Sequence, residues 1–66
     1  MIITEKQHYI EIEGSDHNGD YNIQIQTDGS QIRVKTEDEN VFIETNLEKL
    51  MVIRDCLNNV INRGKK

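Results

Sequence analysis

From position 7 to 45 apolar and polar residues alternate with period two between three turn signals, and from Asn46 onward the apolar positions recur near every 3.6 residues. The pattern predicts strands at about 7–13, 20–27, 30–36 and 41–45, a helix over about 46–63, and a basic tail at 64–66. The middle hairpin carries the strongest local signal. Asp28-Gly29 between alternating runs suits a two-residue type I′ turn, since both positions tolerate positive φ. Asn22 then faces Lys35, Ile23 faces Val34, Gln24 faces Arg33 and Ile25 faces Ile32.

Applying the same arithmetic to a Gly14–Gly19 loop pairs Glu13 with Asp20, Ile12 with Tyr21, Ile10 with Ile23 and His8 with Ile25. A loop over 37–40 pairs Thr36 with Val41, Val34 with Ile43, Arg33 with Glu44 and Lys35 with Phe42. All three registers place the isoleucines on one face, where a slip of one residue would turn them to water. The predicted fold is therefore α+β: a four-stranded antiparallel meander in order 1-2-3-4, packed on one face by a single C-terminal helix. That helix opens at Thr45-Asn46-Leu47-Glu48, which fits a capping box with Thr45 as cap. Gly64 supplies a left-handed C′ position beyond Arg63. Leu50, Ile53, Leu57, Val60 and Ile61 form the stripe that should cover the sheet, with Leu47 at its border.

Composition limits what such a fold can be. The chain has 66 residues, of which 35% are apolar, so it holds one small domain with a thin core. Ile, Val, Leu and Phe make up about 27% of it, above the ~20% below which disorder is the default. No apolar run approaches the ~18 residues of a membrane span, and the first residues lack the pattern of a secretory signal. The expectation is a soluble cytoplasmic protein with no membrane partner. Small scaffolds add disulfides, a structural metal or oligomerisation. The single cysteine, Cys56, forms no internal disulfide, and with only His8 and His17 beside it no zinc set assembles. Oligomerisation is the route left open.

Charge divides the chain. Residues 1–45 carry ten acids and three bases, net −7, whereas residues 46–66 carry two acids and five bases, net +3. An acidic majority speaks against direct nucleic-acid binding, which needs a clustered positive field. Ten isoleucines and seven asparagines without alanine, proline or tryptophan match the codon bias of an AT-rich genome, that of a low-GC bacterium or its phage.

No residue set carries chemistry. The loop Ser15-Asp16-His17-Asn18-Gly19-Asp20 misses the calcium-loop spacing; Asp, Asn and Gly are also what a surface turn needs. His8 is expected at the sheet border beside isoleucines. Cys56 lies mid-helix beside Asp55, away from the cation or helix N-terminus that would activate a thiol. There is no phosphate-binding glycine loop and no hydrolase or metalloprotease motif. No enzymatic activity, cofactor or metal is expected.

Two surfaces remain for function. The outer sheet face presents Tyr9, Gln24, Arg33, Lys35 and Phe42, with aromatic, amide and guanidinium groups suited to a protein partner. A solvated face with an Arg33–Glu44 pair and Lys35 over Phe42 accounts for the same residues. The helix back presents Val52, Cys56, Asn59 and Arg63, a candidate homodimer interface. The function favoured is non-catalytic protein–protein binding by a small homo-oligomer, an accessory or inhibitor of phage or mobile-element type. One rival is a nucleotide-sequestering protein with a site between protomers, where Arg33, Lys35 or Arg54 meets phosphates. Another is a nucleic-acid mimic displaying Glu11, Glu13, Asp16, Asp20, Glu37, Asp38 and Glu39.

Overall fold

The computed structural model describes residues 1–64. Its elements are β1 (Ile2–Glu5), β2 (Tyr9–Asp16), β3 (Gly19–Gln26), β4 (Gln31–Thr36), β5 (Asn40–Glu44) and α1 (Leu47–Gly64). The strands form one antiparallel sheet in order β1-β2-β3-β4-β5, followed by the C-terminal helix. The α+β meander is as expected, but it has five strands and not four. The additional strand is β1, whose Ile3 and Glu5 stand opposite Ile12 and Ile10 of β2. It escapes a turn-based reading because the β1–β2 turn contains only Gln7 and His8, closed by the Lys6 N–H donating to the Tyr9 carbonyl at 2.9 Å. No Gly, Asn or Asp marks it.

The β3–β4 register is the predicted one, with Asn22 opposite Lys35, Ile23 opposite Val34 and Gln24 opposite Arg33. Its turn is not type I′. Only Gly29 has positive φ (79°) and Asp28 does not, so the chain turns over Gln26–Gly29 through a Gly29 N–H bond to the Gln26 carbonyl at 3.0 Å. The Asp28 side chain accepts from the Ser30 N–H at 2.9 Å.

The two flanking registers differ from expectation by two residues each. Ile12 stands opposite Ile23 and Ile10 opposite Ile25, because β2 and β3 run on past Gly14 to a tight His17-Asn18 turn. Val34 stands opposite Val41 and Ile32 opposite Ile43, because the β4–β5 turn is only Glu37-Asp38, closed by the Thr36 N–H on the Glu39 carbonyl at 2.8 Å. Polar and acidic residues that look like loop are strand here. The shift is even, and side chains alternate with period two, so every isoleucine keeps its face while its cross-strand partner changes. The inner face accordingly reads Ile3, Ile12, Ile23, Val34 and Val41 in one row and Glu5, Ile10, Ile25, Ile32 and Ile43 in the next.

Three further expectations change. The predicted Arg33–Glu44 pair and Lys35 over Phe42 do not form: Arg33 is opposite Phe42, Lys35 opposite Asn40 and Glu44 opposite Gln31. His8 is an exposed turn residue whose carbonyl accepts from the Thr27 N–H at 3.0 Å, and not a neighbour of Ile25. The helix cap is Asn46 and not Thr45: Asn46 Oδ1 accepts from the Lys49 N–H at 2.9 Å, while Thr45 Oγ1 donates to the Gly29 carbonyl at 2.7 Å. At the other end α1 runs through Gly64, which is helical and takes no left-handed conformation. Of the predicted 64–66 basic tail, Lys65 and Lys66 lie outside the described residues.

Helix and sheet meet over a small area. Leu50 and Ile53 are the half-buried residues of α1, with a Leu50 methyl against the Gly29 turn and Ile53 beside Ile43 and Thr45. Beyond that anchor the stripe stands clear of the sheet, and among the described residues no side chain is fully buried. The Cα radius of gyration is 13.1 Å. A compact domain of this length has a value of about 11 Å.

Candidate functional site: the outer sheet face

The twisted outer face forms an open concavity of about 760 Å³ centred on β2, β3 and the end of β4. Its floor is polar because strand alternation that sends Ile10, Ile12, Ile23 and Ile25 to one side sends Glu11, Glu13, Asn22 and Gln24 to the other. Glu11 faces Gln24 across the strands, and Gln24 Nε2 donates to its Oε2 at 3.1 Å. Glu13 faces Asn22, which in turn faces Lys35. The Asn22 amide, with lesser help from Gln24, Glu13 and Lys6, holds the Glu11 carboxyl below the usual glutamate range. The floor is therefore an ordered set of carboxylates and amides with one cation, Lys35.

One end of the concavity is acidic. Ser15 Oγ donates to Asp20 Oδ1 at 2.6 Å, and Glu37 folds its carboxylate over the Gly19-Asp20 backbone. Asp16, whose Oδ1 accepts from the Asn18 N–H at 2.8 Å, closes the turn beyond them. At the N-terminal edge Met1 and Ile2 supply an apolar wall. Glu11, Glu13, Asp20 and Glu37 thus share one surface with Lys35. This arrangement can take a polar or basic group and orient it by hydrogen bonds.

The residues expected on this face are distributed along it. Gln24 and Lys35 line the concavity. Tyr9 lies one row further toward the β1–β2 turn, half-buried, with Lys6 Nζ 5.4 Å from its ring centroid. A side-chain hydrogen bond to Tyr9, with lesser help from the charges of Tyr9, Glu11 and Glu13, raises the Lys6 pKa. Arg33 is exposed opposite Phe42, and Phe42 is 57% exposed on edge strand β5. The expected helix-back residues Val52, Cys56, Asn59 and Arg63 are all exposed, and Val52 also lines a groove of about 470 Å³ with Ile43 and Lys49. Arg54 pairs with Asp55 at 3.2 Å on α1, on a different element from Arg33 and Lys35.

Glu13, Asp20 and Glu37 belong to the acidic array of the mimic reading, whereas no sequence signal joins Asn22 and Ser15 to them. They meet because the hairpins are two residues tighter than loop composition suggests. His8 and His17 lie in turns at opposite ends of β2. Among the described residues no three His, Cys, Asp or Glu side chains are grouped to hold a metal ion, and no helix is long and apolar enough to cross a membrane. Comparison with models of known protein families, with curated proteins and with solved structures finds no match.

Proposed function

We propose that this chain is a non-catalytic binding protein that works as a homo-oligomer and engages a protein partner through its outer sheet face. The observation that carries the reading is the pre-bonded floor of the concavity, where Gln24 Nε2 holds Glu11 Oε2 at 3.1 Å. Side chains ordered before contact lose less freedom on binding, and this favours recognition of another protein's amides and cations. Arg33, Tyr9 and Phe42 flank that floor as contact groups of the kind enriched at interfaces. An accessory or inhibitor role of phage or mobile-element type rests on small size, acidity and AT-rich composition.

The mimic reading draws support from a specific feature, the carboxylates of Glu11, Glu13, Asp20 and Glu37 on one surface. It differs in the partner's chemistry, a nucleic-acid-binding site, and in its salt dependence. The nucleotide reading has less to draw on, since these carboxylates surround Lys35 and Arg54 is held by Asp55.

Affinity capture from a lysate at low and high salt tests the proposal. Wild-type protein and Val52→Glu should retain the same partner, and Glu11→Lys should lose it. Equal capture by all three removes the outer face from consideration. Loss of capture by wild-type protein at high salt alone favours the mimic, and heat on calorimetric titration with nucleoside triphosphates favours sequestration.

A further inference from the structure

We infer that the inner face of the sheet and the C-terminal half of α1 form the interface with a second copy of this chain, each copy's helix lying on the other's sheet. The inference rests on the homo-oligomer reading above and assigns it a surface, which is neither the helix back nor the outer face. Ile3, Val41 and Ile43 on the inner face, and Leu57, Val60 and Ile61 on the helix, are each between 51% and 66% exposed in the single chain. Leu57 and Ile61 continue, one and two turns on, the stripe whose Leu50 and Ile53 rest on the sheet. No Cα of α1 comes within 8 Å of a strand Cα, and beyond Ile53 the stripe is exposed in the single chain.

Area indicates what covers it. The chain exposes 5666 Å², whereas a folded monomer of 7.7 kDa exposes about 4300 Å². The excess of roughly 1300 Å² exceeds the ~800 Å² that each partner contributes to a stable complex. Ile3, Val41, Ile43, Leu57, Val60 and Ile61, each more than half exposed, contribute to it. A second copy is made wherever the chain is made, and its concentration sets the fraction of chains that pair. Charge then selects the arrangement. Residues 1–45 carry −7, whereas α1 carries Lys49, Arg54 and Arg63 against Glu48 and Asp55, so helix on sheet brings opposite net charges together and sheet on sheet brings like charges together. Two copies related by a twofold axis satisfy both contacts at once.

Light scattering and mixed-label NMR on the full chain test this. Wild-type protein should have twice the 7.7 kDa chain mass at micromolar concentration. Leu57→Glu and Ile61→Glu should each weaken the dimer at least about tenfold, and Val52→Glu and Phe42→Glu should not. In dimers of one labelled and one unlabelled copy, Leu57 and Ile61 methyls should show contacts to Ile12 and Ile23 of the other copy, a readout that stands even where a variant does not fold. A monomer at every concentration overturns both the inference and the homo-oligomer reading. A dimer lacking those contacts, or one dissociated by Phe42→Glu or Val52→Glu and not by Leu57→Glu, overturns the interface alone.

Discussion

Thr45 Oγ1 donates to the carbonyl of Gly29 at 2.7 Å, and the Thr45 N–H donates to the Ser30 carbonyl at 2.8 Å. These bonds fix the root of α1 to the β3–β4 turn, sixteen residues earlier in the chain. The turn can offer that carbonyl because Gly29 has φ 79°, a conformation L side chains rarely adopt. Leu50 then seats a methyl on the same glycine. Position and tilt of the helix are thus set at its first turn.

Thr45→Ala removes the hydroxyl donor from a half-buried carbonyl and should cost about 1 kcal/mol. In a domain of this size that lowers the melting temperature by about 4–8 °C. Thr45→Ser keeps the donor and should recover most of the loss. Thermal melts by circular dichroism check it, and equal losses for both variants would show that the methyl matters and the bond does not.

Asn46→Ala should cost a further ~1 kcal/mol through loss of the N-cap, since Asn46 Oδ1 accepts the Lys49 N–H at 2.9 Å. Asn46→Asp keeps the acceptor and adds a charge that suits the helix N-terminus, so it should melt no lower than wild type. Helical signal near 222 nm, a standard observable, separates the three proteins. A melt of Asn46→Ala unchanged from wild type would return the cap to Thr45.

These two neighbours also show what the sequence discloses. Thr45-Asn46-Leu47-Glu48 announces a helix start, and α1 does start there, but both Thr45 and Asn46 can cap. The choice depends on Gly29, a tertiary contact. Likewise Ile12 opposite Ile23, and Ile12 opposite Tyr21, bury the same face. Alternation fixes which side each residue takes and leaves the register free to slip by two. Gly14 and Ser15 have loop composition, yet they pair with Tyr21 and Asp20 in β3. That mispairing hid the concavity, because Ser15, Asp20 and Glu37 join Glu11 and Lys35 only in the tighter register. The exposed stripe of α1 was illegible for another reason: amphipathicity says that Leu57 and Ile61 will be covered, and not by which chain.

Gly14 is a strand glycine kept small by a close approach. The ring of Tyr21, its partner across the sheet, lies where a Cβ would stand. Gly14→Ala forces the ring to move and should destabilise the domain by about 1–3 kcal/mol. Tyr21→Leu in the same chain should restore part of this by vacating the space, a coupling that a double-mutant cycle measures. Additive effects would mean that the ring does not rest on Gly14 in solution.

The Asp28 carboxylate lies below its ordinary range because it accepts from the Ser30 hydroxyl and the Ser30 N–H, and the His8 charge lowers it further. Its folded-state value is below the unfolded one, so its contribution is complete above the unfolded value near ~3.9 and is lost as pH falls through the folded value. Wild-type stability should thus decline below about pH 4 more steeply than that of Asp28→Asn, which has no charge to lose. Denaturant midpoints at successive pH values check the sign. Parallel declines would remove Asp28 as a source of acid sensitivity.

Ile23 is the centre of the inner row Ile3, Ile12, Ile23, Val34, Val41, with apolar neighbours on both adjoining strands. Ile23→Asp places a carboxylate among them with no basic partner in the row, and a charge so placed costs several kcal/mol, enough to exceed a small domain's stability. Gln26, three residues on in the same strand, points to the outer face between Tyr9 and Gln31, where no like charge stands opposite. Gln26→Asp should change stability by less than about 1 kcal/mol. The comparison isolates the face from the substitution, since both variants add one negative charge to β3. Circular dichroism should show an unfolded Ile23→Asp chain and a folded Gln26→Asp chain at neutral pH. Folding of both with equal melts would mean that the inner face is as wet as the outer one, and the inner-face interface would fall with it.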